Sequence, residues 1–168
     1  KPNTTVSRMH FAVFMYRAKY KNLAKINVHF IDVGQGDSIF IQSPNGKTML
    51  IDGGTASGGD KVVAHLKSLG VSTIDYVVAT HPDADHIGGL LDVFAAFKVN
   101  NFVHSGKTHT SATFEKLLTA VINEGSTNIE PNTGDTIPLD STIKIQVLHA
   151  NKYASDNNDA SLVLKLTY

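Results

Sequence analysis

The chain has 168 residues, 42% hydrophobic and 18% charged, enough for one domain with a sizeable core and too apolar for global disorder. It contains no cysteine, which excludes a disulfide framework, thiolate metal ligation and a cysteine nucleophile. Net charge is zero, but residues 1–25 hold six Lys or Arg and no acid, leaving nine basic against 15 acidic side chains in a body without the basic face usual in nucleic-acid binders.

Residues 1–24 are expected to be a basic N-terminal arm or short helix: a leader remnant, linker or solvated start, or a contact element for phosphate or an anionic membrane. Its apolar stretch, Met9 to Tyr16, is bounded by Arg8 and Arg17 and is too short to cross a bilayer. Residues 25–168 are expected to form the organised domain. Ile26–Val33, Ser38–Gln42 and Thr48–Ile51 read as strands, and Ser43-Pro44-Asn45-Gly46 marks a hairpin turn between the second and third. Asp60–Leu69 reads as a helix with Val62, Val63, Leu66 and Leu69 on one stripe, stopped by Gly70. Ile74–Ala79 is mostly apolar and reads as a central strand. Ile87–Phe97 reads as one helix, Asn101–His104 as a strand, Thr110–Asn123 as a helix, and Ile129 as part of a brief strand. Ile137–Leu139, Ile143–Leu148 and Ser161–Thr167 read as later strands, with a polar loop over Asn151–Asp159. This order predicts a layered α/β domain with a mixed sheet.

Between the central strand and the next helix lies His81-Pro82-Asp83-Ala84-Asp85-His86. Two carboxylates crowded on one short loop repel each other unless a cation intervenes. Imidazole and carboxylate together suit Zn²⁺, Mn²⁺ or Fe²⁺. The spacing allows His81 and Asp83 to face one ion while Asp85 and His86 face another, with one carboxylate orienting a nucleophilic water. The competing reading makes Asp83 or Asp85 a helix N-cap.

These residues, with Phe30-Ile31-Asp32-Val33-Gly34-Gln35-Gly36-Asp37-Ser38, Leu50-Ile51-Asp52-Gly53-Gly54, Gly88-Gly89 and Asn158-Asp159-Ala160-Ser161-Leu162-Val163-Leu164, resemble the metallo-β-lactamase-fold superfamily. Within it the chain is similar to the hydrolase-like domain of bacterial DNA-uptake (competence) channel proteins and their stand-alone relatives. The resemblance implies a four-layer αββα sandwich, incomplete here at its C-terminus, with two divalent ions, Zn²⁺ or Mn²⁺. It implies His81 and Asp83 as ligands of one ion and Asp85 and His86 of the other, with Asp85 also positioning the attacking water. Asp83 stands where the wider superfamily has histidine, a departure shared with the DNA-uptake group.

Asp52 is implied as a buttress that fixes the tautomer of a ligand histidine; a turn aspartate satisfying local amides is the alternative. Asp32, Gln35 and Asp37 fall at the rim or simply form the Gly-rich turn. Asn158 is a ligand or near-ligand, or a loop residue. His104 can line the site, and His149 ranks below it. The superfamily's bridging Gly-Asp and last histidine have no counterpart before Tyr168. The chain is therefore expected to be a fragment with one ion or none and little activity, and to expose sheet edges that favour self-association. The implied activity is metal-dependent phosphodiester hydrolysis with DNA as substrate. The alternatives are hydrolysis of a small ester, lactam or cyclic nucleotide, and a non-catalytic interaction domain. An extracellular or cell-envelope location goes with the resemblance, and a cytoplasmic one stays open.

Overall fold

A computed structural model of the protein describes residues 25–168. The expected N-terminal arm lies outside the described residues. Strands β1 (Asn27–Phe30), β2 (Ile39–Gln42) and β3 (Thr48–Ile51) form an antiparallel meander. The β2–β3 turn closes through Ser43 and Lys47, whose backbones pair at 2.8 Å across Asn45-Gly46. Helix α1 (Gly59–Ser68) leads to β4 (Thr73–Ala79), which pairs parallel to β3. Two short helices follow, α2 (Ala84–Ile87) and α3 (Leu90–Ala96), then β5 (Lys98–His104), α4 (Ala112–Glu124) and β6 (Thr127–Ile129), with β4, β5 and β6 all parallel. The last strands, β7 (Thr136–Asp140), β8 (Ile143–His149) and β9 (Val163–Thr167), form a separate antiparallel sheet.

The period-2 alternation of the strands decides the layering. Phe40, Leu50, Val77 and Phe102 point one way from the six-stranded sheet and pack with Val62 and Leu66 of α1, Leu90 and Val93 of α3, and Leu117 of α4. Ile41, Met49, Val78 and Val103 point the other way and meet Ile137, Leu139, Ile145, Val147 and Leu162. A sheet buried on both faces needs apolar residues at successive positions, which is why Val77-Val78-Ala79 and Phe102-Val103 are continuous apolar runs. Each fully buried side chain of this size contributes about 1.5–3 kcal/mol. Helices, large sheet and small sheet thus stack as three of the four layers of an αββα arrangement, with Lys144, Val163, Lys165 and Thr167 exposed on the outer face of the small sheet.

Several boundaries differ from the sequence reading. β1 stops at Phe30 because Asp32–Gly36 turns, with Gly34 and Gly36 at positive φ. The helix expected over Ile87–Phe97 begins earlier, at Ala84, and is split around Gly88-Gly89. β5 gains Lys98-Val99-Asn100, whose backbone pairs with β4 from Thr73 onward. β1 and β9 are edge strands. Val28 and Phe30, the latter 79% exposed, flank an apolar hollow of about 200 Å³ with Ile51, Ile145, Leu164 and Leu166.

Candidate metal centre

The site grows from the ends of two neighbouring parallel strands. Ile51 of β3 lies in register with Val78 of β4, so Asp52, one residue on, comes beside the Ala79-Thr80 exit of β4. The Asp52 amide extends the ladder by donating to the Val78 carbonyl at 2.9 Å. Asp52 then adopts φ +56°, a left-handed conformation that aspartate tolerates better than most residues. This turns its carboxylate inward, where it is 2% exposed.

That carboxylate accepts three hydrogen bonds. Oδ1 receives the Thr80 amide at 2.8 Å, and Oδ2 receives the Thr80 hydroxyl at 2.6 Å and His86 Nδ1 at 2.8 Å. An ionised carboxylate only accepts, so the His86 proton sits on Nδ1 and its Nε2 keeps a lone pair. The Thr80 hydroxyl has spent its one proton on Asp52, so at its 3.0 Å contact with His81 Nδ1 it must accept. His81 is therefore also protonated at Nδ1 with a lone pair on Nε2. One buried carboxylate, directly and through one hydroxyl, sets the tautomer of both imidazoles. Their ring centres lie 4.0 Å apart.

The two rings differ electrostatically. Burial pushes His81 below the usual imidazole range, helped by His86. The hydrogen bond His86 donates to Asp52 raises it above that range, against the cost of its own burial. His81 is thus the ready neutral ligand, whereas an ion at His86 competes with a proton.

Asp83 occupies the N-cap position of α2, yet its side chain makes no capping hydrogen bond. Its carboxylate turns to the site instead: Oδ2 is 3.5 Å from His81 Nε2, and Oδ1 accepts from Asn157 Nδ2 at 2.7 Å. The capping account therefore fails for Asp83. Asp85 lies in the first turn of α2 and its Oδ2 receives Gln35 Nε2 at 3.4 Å. The Gly-rich turn is pressed against this hinge. A Cβ on Gly36, at φ +82°, would lie 1.6 Å from the Asp85 carbonyl oxygen, so no side chain fits. Likewise a Cβ on Gly89 would meet the Gly53 carbonyl at 2.1 Å, which explains the glycine pair between α2 and α3. Gly53 donates to the His86 carbonyl and Gly89 to that of Gly54, locking hinge and β3 exit together.

The other expected site residues are distributed as follows. Asp32 caps its own turn, its Oδ1 receiving the Gly34 amide at 3.1 Å. Asp37 is exposed, and its charge helps raise His86. Asn158 is exposed and lines an open hollow with His149 and Asp159, its amide held by Asp156. The loop residue that reaches the hinge is the preceding Asn157. His149 bonds the Asp159 carbonyl at 3.0 Å through Nε2. His104 ends β5 beside Ala79; its Nδ1 accepts from the Gly106 amide, and its buried Nε2 has no hydrogen-bond partner among the described residues and lies 3.7 Å from Glu130. Sequence reasoning missed the roles of Thr80 and Asn157. A hydroxyl immediately before His81 was a usable signal for the first; nothing local separates Asn157 from Asn158.

The donor chemistry suits a divalent ion: two fixed imidazole lone pairs, with a carboxylate facing one of them. Among the described residues, however, no set of three or more His, Asp or Glu side chains is placed to hold a metal ion. The hinge brings its donors together in pairs, not as a closed cage.

The model of the metallo-beta-lactamase superfamily matches residues 31–152. The chain is 33% identical over 156 residues to ComE operon protein 3 of Bacillus subtilis (strain 168), with 82% of the chain and 20% of that protein covered. The chain therefore spans about a fifth of that relative. Among solved structures it is similar to a metallo-beta-lactamase of Cronobacter sakazakii with a HARLDQ motif, at TM-score 0.58 and 15% identity, covering 89% of this chain and 61% of that one. It is also similar to the chemotaxis sensor ODP, solved as a peroxy diiron species, at TM-score 0.59 and 17% identity, covering 84% and 55%. At such identities the likeness concerns the fold.

Proposed function

The chain belongs to the metallo-beta-lactamase superfamily, and we propose that it serves as a metal-dependent hydrolase module acting on a phosphodiester, with DNA as the substrate class. The observation that carries this reading is the buried Asp52 carboxylate holding both hinge imidazoles in the ligand tautomer. His81 and Asp83 would hold one ion, and Asp85 and His86 a second, Zn²⁺ or Mn²⁺. When bound, the ion supplies polarisation of the scissile bond and an acidified water.

The chain's own residues supply positioning and proton handling. Asn157 fixes one oxygen of Asp83, which leaves the other facing His81. Asp85 is half-buried and, among the described residues, its carboxylate has only the long Gln35 hydrogen bond, which leaves it able to orient a water and accept its proton. The body is acidic, so affinity for DNA depends on the ion and on the cationic residues 1–25, and should fall steeply with salt. A DNA-uptake context and an extracellular or envelope location belong to this proposal and rest on the sequence resemblance.

A second reading, a non-catalytic interaction module retaining the fold, is favoured by the absence of a three-donor group among the described residues and by the exposed apolar edge at β1. Self-association through β1 or β9 belongs with it. Titration calorimetry with Zn²⁺ and Mn²⁺, paired with a substrate panel of DNA, a nitrophenyl phosphodiester, an ester and a lactam, separates the readings. Ion uptake lost in His81→Ala and His86→Ala is expected, with chelator-sensitive cleavage by this chain weak and confined to phosphodiesters. Cleavage of ester or lactam alone would reject the substrate class. Ion uptake that ignores both substitutions would reject the site.

A further inference from the structure

Away from the hinge, two histidines no part of the proposed reaction uses face each other. His29 lies on the edge strand β1 and His65, 36 residues later, in the last turn of α1. His29 Nδ1 and His65 Nε2 are 3.3 Å apart, the ring centres 5.1 Å apart and the planes inclined by 65°. The geometry points to a second transition-metal site here, in which these two imidazoles chelate one borderline divalent ion of the Zn²⁺, Ni²⁺ or Cu²⁺ class.

Two arrangements compete for these distances. Two neutral rings sharing a linear N–H···N bond of this length would put their centres about 5.6 Å apart and would exceed the usual hydrogen-bond range of about 2.7–3.2 Å. Two lone pairs converging on an ion about 2.05 Å from each nitrogen put the nitrogens about 3.3 Å and the ring centres about 5.1 Å apart at a near-tetrahedral angle. The observed spacings have the values of the second arrangement, and in the ion-free protein the same 3.3 Å contact is an N–H···N hydrogen bond bent away from linearity.

The supports are rigid. His29 pairs in register with Phe40, and its ring packs on that side chain at 6.0 Å. His65 is carried by a helix anchored through the fully buried Val62 and Leu66. Both histidines are half-buried, so water can complete the coordination shell. Imidazole donors without carboxylate favour these ions over Mg²⁺ or Ca²⁺. A bound ion would cross-link the edge strand to the helix layer, and binding the folded state alone raises stability with ion concentration.

Paramagnetic Ni²⁺ or Cu²⁺ added to the ¹⁵N-labelled chain should broaden the signals of His29, Val28, His65 and Ala64, and Zn²⁺ should raise Tm. Both effects should persist in a His81→Ala/His86→Ala background, so failure here and failure of the hinge reading are distinguishable. His65→Gln and, separately, His29→Gln should each weaken the response at least tenfold. Absence of broadening at β1 and α1 up to about 1 mM ion, about a thousandfold excess over a micromolar site, would overturn the site, as would broadening unchanged in both variants. The wild-type broadening pattern needs no variant to fold.

Discussion

Asp52→Asn tests the tautomer argument at its root. The substitution keeps the size of the side chain and its tolerance of φ +56°, and its oxygen can still accept the Thr80 amide. At the other position an amide N–H₂ now faces two donors, the Thr80 hydroxyl and His86 Nδ1–H. Hydrogen bonds to a charged group are worth about 1.5–3 kcal/mol each. The hydroxyl can rotate, and His86 can move its proton to Nε2 and accept at Nδ1, so the net loss should approach that of one such bond, about 2 kcal/mol. For a domain of this size that lowers Tm by about 4–8 °C. The larger consequence is chemical. With its proton on Nε2, His86 has no lone pair for an ion, and metal affinity at the hinge should fall by about 10–100-fold. Urea denaturation measures the stability loss, long-range ¹H–¹⁵N correlation of the imidazole reports the tautomer, and calorimetry reports the ion. A variant with unchanged stability and His86 still protonated at Nδ1 would refute the reasoning.

Gly36→Ala should cost about 2–4 kcal/mol, from positive φ plus overlap with the Asp85 carbonyl; Gly46→Ala, at φ +81° but with nothing within 4 Å, should cost only about 1 kcal/mol by the same melting assay. His104 is held below the ordinary imidazole value by burial, which outweighs Glu130 and Asn128 and is aided by Lys152. Its folded form resists protonation, so its contribution is complete above the unfolded value of 6.5 and is lost as pH falls through the lower folded value; His104→Phe should flatten the stability profile in that window, as followed by urea titrations at a series of pH values. Asp140 is pulled well below the carboxylate range, first by the Ser43 hydroxyl and then by the Thr142 amide, and with Asn45 it ties the β2–β3 turn to the small sheet. Its contribution is present above the ordinary value of 3.8 and lost as pH falls toward the folded value. Asp140→Ala should therefore lower stability at neutral pH while reducing the further loss in acid, as read by circular dichroism melts at both pH values.

Much of this protein was legible in the residues alone. The alternation of Phe40-Ile41 and Val77-Val78, the hairpin turn at Ser43–Gly46 and the apolar stripe of α1 are patterns within single segments, set by the 2.0 and 3.6 periods of the backbone. The crowding of His81, Asp83, Asp85 and His86 in one short loop was equally visible, because it is a fact of composition. The folded chain alone decided how those groups are wired. Asp52 reaches Thr80 and His86 because β3 and β4 are parallel neighbours, 28 residues apart in sequence at Thr80 and 34 at His86. Asn157 and not Asn158 meets Asp83 because the loop before β9 is pinned where the Leu162 amide bonds the Thr80 carbonyl. The split between α2 and α3 follows from the close passage of Gly53-Gly54. Periodicity and composition are properties of a segment, whereas the direction of a carboxylate, the tautomer of a ring and the room for a Cβ depend on what a distant segment places against them.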